Sequence, residues 1–351
     1  MRFKNFSIAV LFGLSLSLFN ACNKPDDPIN PQPASIGKGV FVLSEGLFGN
    51  ANASLTFYDI EVDTVANNLF YKANNAPIGD VGQNLALADG KLYLVVNNSN
   101  YIYKVDANTM KYEDKAEEFY SPREMCIVAP NKAYVSDLMG TGLWIVNPQD
   151  MTHSGFVETG KPTESLLQIG SELWTTNWSN YYQPQTTNNT VQVVDIQNDV
   201  KVSEIEVVAE PNSMVVDKDG MVWVLCDNGW ETTTFSLCKI NPMLKQLEKT
   251  YTFEGGYPSH LCIDKTGTRL FFIDYNVCSM NINDETSLDT CFIAAEGRSF
   301  YNMVVNPTTG DLYVTDAKNY VQNGQVYRYS SDGVLLKQFS AGICPSAMVF
   351  N

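Results

Sequence analysis

The sequence predicts an all-β protein, a seven-bladed β-propeller of four-stranded blades. Three observations predict it: one strand–turn–strand pattern recurs seven times, successive copies begin 40 to 49 residues apart, and the two ends of the chain carry complementary parts of one copy. Repeats of this length built from short strands are typical of propeller blades.

Each copy begins with proline or an equivalent residue, two small or polar residues and a short apolar strand. A Gly/Asp turn and a second apolar strand follow, most clearly in residues 211–224 and 258–271. Third strands such as 101–106 and fourth strands complete the unit, and the pattern indicates no helix between copies. The copies begin at positions 82, 122, 162, 211, 258, 300 and 345.

The chain termini predict how the ring closes. Residues 345–351 have the pattern of an innermost strand, whereas residues 39–43 have that of a second strand with no first strand before it. We therefore expect the propeller to span residues 39–351. The C-terminal innermost strand joins the N-terminal blade, which removes the free sheet edges.

The N-terminal 38 residues have the features of an export signal and a tether. Residues 1–21 carry two basic residues and then an apolar run, as secretory signal peptides do. Cys22 follows a small residue, as in the bacterial lipobox, so we expect it to be lipidated; the alternative is an ordinary signal peptide cut near Ala21. Residues 22–38 are a proline-rich tether. The acidic residues just after Cys22 resemble the signal that sends Bacteroidetes lipoproteins to the cell surface, which predicts an outer-membrane lipoprotein exposed there.

The composition excludes several classes of function. A net charge of −16 disfavours nucleic acid and anionic membrane surfaces, because both are bound through Lys and Arg. The membrane is therefore expected to be reached only through the lipid anchor. With 44% hydrophobic and 18% charged residues, the chain has ample material for a core.

We find no motif for catalysis or metal binding, so we expect a protein that is not an enzyme and holds no cofactor. There are two histidines, His153 and His260, and there is no Gly-x-Ser-x-Gly elbow or phosphate loop. Acids at strand ends leave a channel calcium ion or a hydrolytic reaction open as an alternative, although aspartate is also an ordinary turn former. These acids are Asp80, Asp137, Asp274 and Asp316.

One face of the predicted propeller is rich in aromatic and amide side chains. The loop that leads into each innermost strand and the loop between the second and third strands emerge on the same face, called here the upper face. Flat rings and amides suit a broad amphipathic ligand, and the long insertion 178–185 favours binding. For the Asn and Asp residues alone, turn formation is the simpler explanation. The candidate ligand-binding residues are Phe48, Asn97, Asn98, Tyr120, Arg123, Trp178, Tyr181, Tyr182, Trp230, Tyr257, Tyr275, Tyr301 and Tyr320.

Seven cysteines remain besides Cys22. Cys126 and Cys262 share one slot of the innermost strand, which predicts buried small residues. Cys278 and Cys291 flank a predicted hairpin turn and are candidates for a disulfide. Cys226, Cys238 and Cys344 have no predicted role.

Several segments resemble a family of Bacteroidetes surface propellers, the YncE-like proteins, which include BtuG-type surface lipoproteins. The resembling segments are 41–46, 53–59, 79–83, 92–98 and 221–226. The resemblance implies that the protein binds cobalamin (vitamin B12) or a related corrinoid and passes it to a BtuB-type TonB-dependent outer-membrane transporter. Two alternatives stay open: a surface binding module for another nutrient such as a glycan, and a metal-dependent hydrolase resembling lactonases.

Overall fold

The computed structural model describes residues 37–179, 187–229, 232–284 and 288–351. The chain begins with strands β1 (Gly39–Ser44), β2 (Ser54–Asp59) and β3 (Thr64–Ala66), followed by helix α1 (Leu69–Asn74). Blade 1 contains β4 (Gly82–Ala88), β5 (Lys91–Val96), β6 (Tyr101–Asp106) and β7 (Tyr112–Ala116), with a 3-10 turn at Asn97–Ser99. Blade 2 contains β8 (Pro122–Ala129), β9 (Lys132–Asp137), β10 (Gly142–Val146) and β11 (His153–Glu158).

The remaining blades follow the same order. Blade 3 contains β12 (Leu166–Ile169), β13 (Glu172–Thr176), β14 (Thr190–Asp195) and β15 (Val200–Glu206). Blade 4 contains β16 (Pro211–Val216), β17 (Val222–Cys226), β18 (Thr234–Asn241) and β19 (Gln246–Glu254). Blade 5 contains β20 (Ser259–Ile263), β21 (Arg269–Asp274), β22 (Asn276–Asn281) and β23 (Leu288–Ile293). Blade 6 contains β24 (Phe300–Val305), β25 (Leu312–Asp316), β26 (Asn323–Tyr329) and β27 (Leu335–Ile343), and the last strand is β28 (Pro345–Phe350).

The structure confirms the seven-bladed propeller and its closure. Each sheet is four-stranded and antiparallel, and the seventh, called blade 7, has the order β28-β1-β2-β3. Within it, Val42 pairs with Met348 and Val40 with Phe350. The innermost strands begin at or next to the predicted positions except in blade 3. There β12 begins at Leu166, four residues after position 162.

The core consists of seven apolar clusters, one at each interface between neighbouring blades. Alternate residues of one strand serve opposite interfaces, because successive side chains of a strand point to opposite faces. In β17, Val222 and Val224 pack towards blade 3, whereas Trp223 and Leu225 pack towards blade 5. A strand buried on both faces explains the continuous apolar runs of the second strands.

Helix α1 is an addition that the repeat pattern does not indicate. Its Leu69, Phe70 and Ala73 are buried in the cluster between blades 7 and 1. Asn68 and Asn75 bound it with left-handed backbone, at φ of 56° and 50°. Among the described residues, no helix is long and apolar enough to cross a membrane.

The cysteines differ from one expectation and leave another open. Cys126 and Cys262 are only half-buried, and they pack against the apolar clusters between blades 2 and 3 and between blades 5 and 6. All seven cysteines of the described residues are free thiols in this structure, and the pairing of buried Cys278 with exposed Cys291 stays a prediction. The β22–β23 register shifts between Val277 and Ser279, and the Cys278 thiol donates to the Thr290 carbonyl at 3.5 Å.

The closure of the ring predicts that replacing two methionines with alanine changes the free energy of unfolding by unequal amounts. Met348 is 8% exposed in the cluster between blades 6 and 7, whereas Met243 lies 89% exposed in the β18–β19 turn. We expect Met348→Ala to lower the free energy of unfolding by about 2–5 kcal/mol, because it leaves a cavity. Met243→Ala should change it by less than about 0.5 kcal/mol. Chemical denaturation measures both, and equal effects would contradict the role of β28.

Candidate ligand-binding face

Five aromatic side chains project from loops of the upper face and are called here the aromatic rim: Phe48, Tyr120, Tyr257, Tyr275 and Tyr320. Phe48 and Tyr275 are the most exposed, at 76% and 70%. Phe48, Tyr275 and Tyr320 lie in loops between second and third strands, and Tyr120 and Tyr257 lie in loops that lead into innermost strands. All five belong to the residues predicted from the sequence.

The lower face differs in chemistry. Its turns expose Val62, Met243, Leu244 and Val334, and within the described segments they expose no aromatic side chain. Isolated aliphatic residues on a surface are normal, whereas exposed aromatic rings gathered on one face are typical of binding surfaces.

Two members of the aromatic rim have strained backbones. Tyr275, in the tight β21–β22 turn, has φ of 62°, and Tyr320 has φ of 64°. This left-handed region disfavours residues with a bulky side chain by about 1–2 kcal/mol, whereas glycine and asparagine adopt it readily. Tyrosine is therefore a poor choice for local stability at both positions.

Two predicted amides hold loops together. Asn97 Nδ2 donates to Ser121 Oγ at 2.9 Å and to the Pro122 carbonyl at 3.0 Å, which links blade 1 to blade 2. Asn98 Nδ2 donates to Asp80 Oδ2 at 2.5 Å. These bonds agree with the turn-forming explanation of the Asn residues.

Trp178 anchors the root of the long insertion to blade 4. Its Nε1 donates to Asp227 Oδ2 at 3.3 Å, and the neighbouring Ser179 amide donates to Glu210 Oε2 at 2.7 Å. Burial raises the pKa of Asp227 to about 6. Trp178 is half-buried, so only part of its ring faces solvent.

Tyr181, Tyr182 and Trp230 lie outside the described residues, as does Cys22. Their predicted roles in ligand binding and lipidation stay predictions.

The strand-end aspartates hold the lead-in loops of the upper face. Asp137 accepts the backbone N–H groups of Tyr120 and Ser121, each at 2.8 Å, and Trp144 Nε1 at 3.0 Å. Asp274 and Asp316 accept the amides of Gly256 and Ser299 in the same way. Among the described residues, no group of three or more His, Cys, Asp or Glu is arranged to hold a metal ion.

A polar ring lines the central channel just below the upper face. In five innermost strands the register shifts directly after the first residues, and two residues at each shift are half-buried. Such bulges bend a strand and redirect its side chains. The channel ring consists of Gln83, Asn84, Arg123, Glu124, Asn212, Ser213, Ser259, His260, Tyr301 and Asn302.

Arg123 and Tyr301 were both predicted to bind the ligand. In this ring they instead make contacts between neighbouring blades. Arg123 Nε and Nη2 donate to the Glu164 carboxylate, each at 2.7 Å, and Nη1 donates to Gln83 Oε1 at 2.8 Å. One guanidinium thus joins blades 1, 2 and 3. The Tyr301 hydroxyl donates to Glu45 Oε1 at 2.7 Å, which joins blade 6 to blade 7.

Burial in the channel shifts the pKa values of several side chains. It raises the pKa of Glu124 to about 7, and it raises the pKa of Glu45. Burial and the charge of Arg123 lower the pKa of His260 to about 4, so its imidazole is neutral at pH 7. His260 also has a left-handed backbone, with φ of 58°.

Gln83 and the glutamates Glu45, Glu124 and Glu164 were not predicted as functional residues. Gln83, Arg123 and Glu124 occupy the second and third positions of their copies of the repeat, and Glu164 occupies the third. Aligning the copies and noting where charged residues stand at these usually small or uncharged positions would have indicated a channel position. The ion pair between Arg123 and Glu164 required coordinates.

Comparisons with known proteins show the family and the fold. Residues 38–351 match the family model described as a domain of unknown function, DUF5074. A quinonprotein alcohol dehydrogenase-like protein from Bacteroides thetaiotaomicron is similar at 20% identity and a TM-score of 0.70, over 90% of this chain and 79% of that one. No curated protein matches the chain in sequence.

Two further solved structures are similar. One, from Lactobacillus plantarum, has 13% identity and a TM-score of 0.69, over 90% of this chain and 99% of that one. The other, from Bacteroides fragilis and provisionally named a 6-phosphogluconolactonase, has 12% identity and a TM-score of 0.66, over 90% and 98%. At these identities the likeness extends to the propeller fold alone.

The shifted pKa of Glu124 predicts a pH-dependent stability. Between pH 4.5 and about 7 the folded chain keeps a proton on Glu124 that the unfolded chain releases, so this group's contribution to stability falls as the pH rises. Glu124→Gln retains an acceptor for the Leu166 amide and removes the buried charge. We expect the variant to be more stable than the wild type by roughly 1–3 kcal/mol at pH 8.

At pH 4 the two proteins should be equally stable. Denaturation curves at both pH values measure the difference, and Glu254→Gln on an exposed strand end is the matched control. A stability difference that does not change with pH would contradict the shift.

Proposed function

The chain belongs to the DUF5074 family, and we propose that it is a non-enzymatic binding protein that holds a broad amphipathic ligand on its upper face. The observation that carries the proposal is the pair of exposed tyrosines in left-handed turns. Local stability favours glycine or asparagine at both positions. The Tyr320 ring packs edge-on against Tyr301 with centroids 5.8 Å apart, yet it stays half exposed, and Tyr275 is 70% exposed, so we assign the exposed ring surfaces to a ligand.

We further propose cobalamin or a related corrinoid as the ligand. A corrinoid offers a large surface with apolar and amide-bearing edges, which matches exposed rings set among Asn-rich loops. The net charge of −16 agrees with a ligand that is not held through phosphate contacts alone. The resemblance to BtuG-type lipoproteins supports the same ligand class.

The place of the protein in the cell belongs to the same proposal. Lipidated Cys22 and the proline-rich tether would hold the propeller at the outer surface of the outer membrane, and a BtuB-type TonB-dependent transporter would receive the ligand. The upper face then both captures the ligand and presents it.

Size-exclusion chromatography tests the ligand. Residues 23–351 are mixed with excess cyanocobalamin and eluted while visible absorbance is recorded. We expect about one equivalent of the red ligand to elute with the protein. A colourless protein peak would contradict corrinoid binding.

Substitutions in the aromatic rim test the face. Tyr275→Asn and Tyr320→Asn each remove a ring and place a residue that tolerates the left-handed backbone. We expect each to weaken cyanocobalamin binding about tenfold in a titration, while the thermal midpoint stays unchanged or rises.

Tyr112→Asn is the matched control, because Tyr112 is exposed on the outer strand β7, away from the upper face. Its affinity should equal that of the wild type. Wild-type affinity in the double variant Tyr275→Asn/Tyr320→Asn would exclude this part of the upper face, even if the ligand binds elsewhere.

A further inference from the structure

Two cysteines without a predicted role meet at the interface between blades 3 and 4. Cys226 ends β17 and Cys238 lies in β18, and both are fully buried. Val224 faces Cys238 and Cys226 faces Ser236 in the antiparallel register, so both cysteine side chains point to the same face of the sheet. Their Sγ atoms are 4.0 Å apart.

We propose that Cys226 and Cys238 form an intramolecular disulfide in the exported protein. A disulfide bond is about 2.0 Å long, so the two sulfurs must approach by about 2 Å. Cys226 and Cys238 are diagonal neighbours in the register rather than directly opposite residues. Diagonal Cα atoms of paired strands lie about 7–8 Å apart, slightly more than a disulfide usually spans, so the bond also needs a small local shift of the two strands. Exported proteins occupy compartments in which such bonds persist.

The surroundings favour the reaction. Cys226 donates its S–H to Cys238, which lowers the pKa of Cys238 to about 7, while burial raises the pKa of Cys226. A thiolate is the nucleophile in disulfide exchange, so Cys238 is the attacking residue. The Thr250 hydroxyl lies 3.9 Å from its sulfur.

The oxidant is a disulfide, either of a thiol oxidoreductase or of a small molecule. The Cys238 thiolate attacks one of its sulfurs, forms a mixed disulfide and releases one thiolate. Cys226 then loses its proton and attacks the Cys238 sulfur, which releases the second thiolate. Two electrons pass to the oxidant and the pair loses two protons. Because both sulfurs are buried, the exchange takes place during folding or local opening.

The bond would close the base of the segment between β17 and β18. That segment contains Asp227, which accepts the Trp178 indole N–H, and its amide donates to the Glu210 carbonyl at 3.1 Å. A cross-link between β17 and β18 reduces the conformational entropy of the unfolded chain. It therefore stabilises the folded loop between these strands on the upper face. The inference rests on the proposed export of the chain, but not on which ligand the face binds.

Peptide mapping of the exported protein tests the bond. Residues 23–351 are secreted into an oxidising periplasm, denatured without reductant in the presence of iodoacetamide, and digested. We expect a linked peptide pair containing Cys226 and Cys238, which separates on reduction. Iodoacetamide labelling of both residues without reduction would overturn the proposal.

Thermal denaturation with and without dithiothreitol is the second measurement. We expect reductant to lower the midpoint of the wild type and of Cys278→Ser, a matched change of a buried cysteine in the next blade. Reductant should leave the midpoint of Cys226→Ser unchanged. A wild-type midpoint that is the same with and without dithiothreitol would contradict the cross-link. If Cys226→Ser fails to fold, the peptide map alone decides whether the disulfide forms.

Discussion

The pairing of β28 with β1 is the constraint on which the rest of the structure depends. Five residue pairs, from Val40–Phe350 to Ser44–Pro345, join the last strand to the first and complete the seventh sheet. Without this pairing, blades 6 and 7 lose a shared apolar cluster and β1 becomes a free edge. Because the ring is closed, each blade is packed on both sides, and the described loops of the upper face project from a closed support.

The closed ring also explains why polar side chains line the central channel. Innermost strands converge on the channel, and bulges at the upper ends of five of them direct two residues per strand into it. Arg123 and Tyr301 use this position to bond to acids of neighbouring blades, Glu164 and Glu45, rather than to face solvent. The residues of the channel ring therefore hold neighbouring blades together, and the side chains of the aromatic rim above them are available to a ligand.

The repeat in the sequence was enough to predict the blades, their number and the closure, because strand alternation and turn residues recur at each copy. It failed at two places. Thr163 is held by blade 2, where its Oγ1 donates to the Gly142 carbonyl, so the innermost strand of blade 3 begins late. Helix α1 belongs to no copy of the repeat.

The candidate site was predictable only in outline. Residue type does not distinguish an exposed Tyr275 from a Tyr301 bonded to Glu45, because that difference depends on a neighbour more than two hundred residues away in the chain. Nor does it show that Asn97 and Asn98 bond to other loops. Exposure and partners required the folded ring.

A crystal structure of residues 23–351 with one equivalent of cyanocobalamin tests the central claim most directly. The account predicts the corrinoid on the upper face, in contact with Tyr275 and Tyr320 and with the channel ring beneath it unchanged. A corrinoid bound at the lower face or against the outer strands would contradict it.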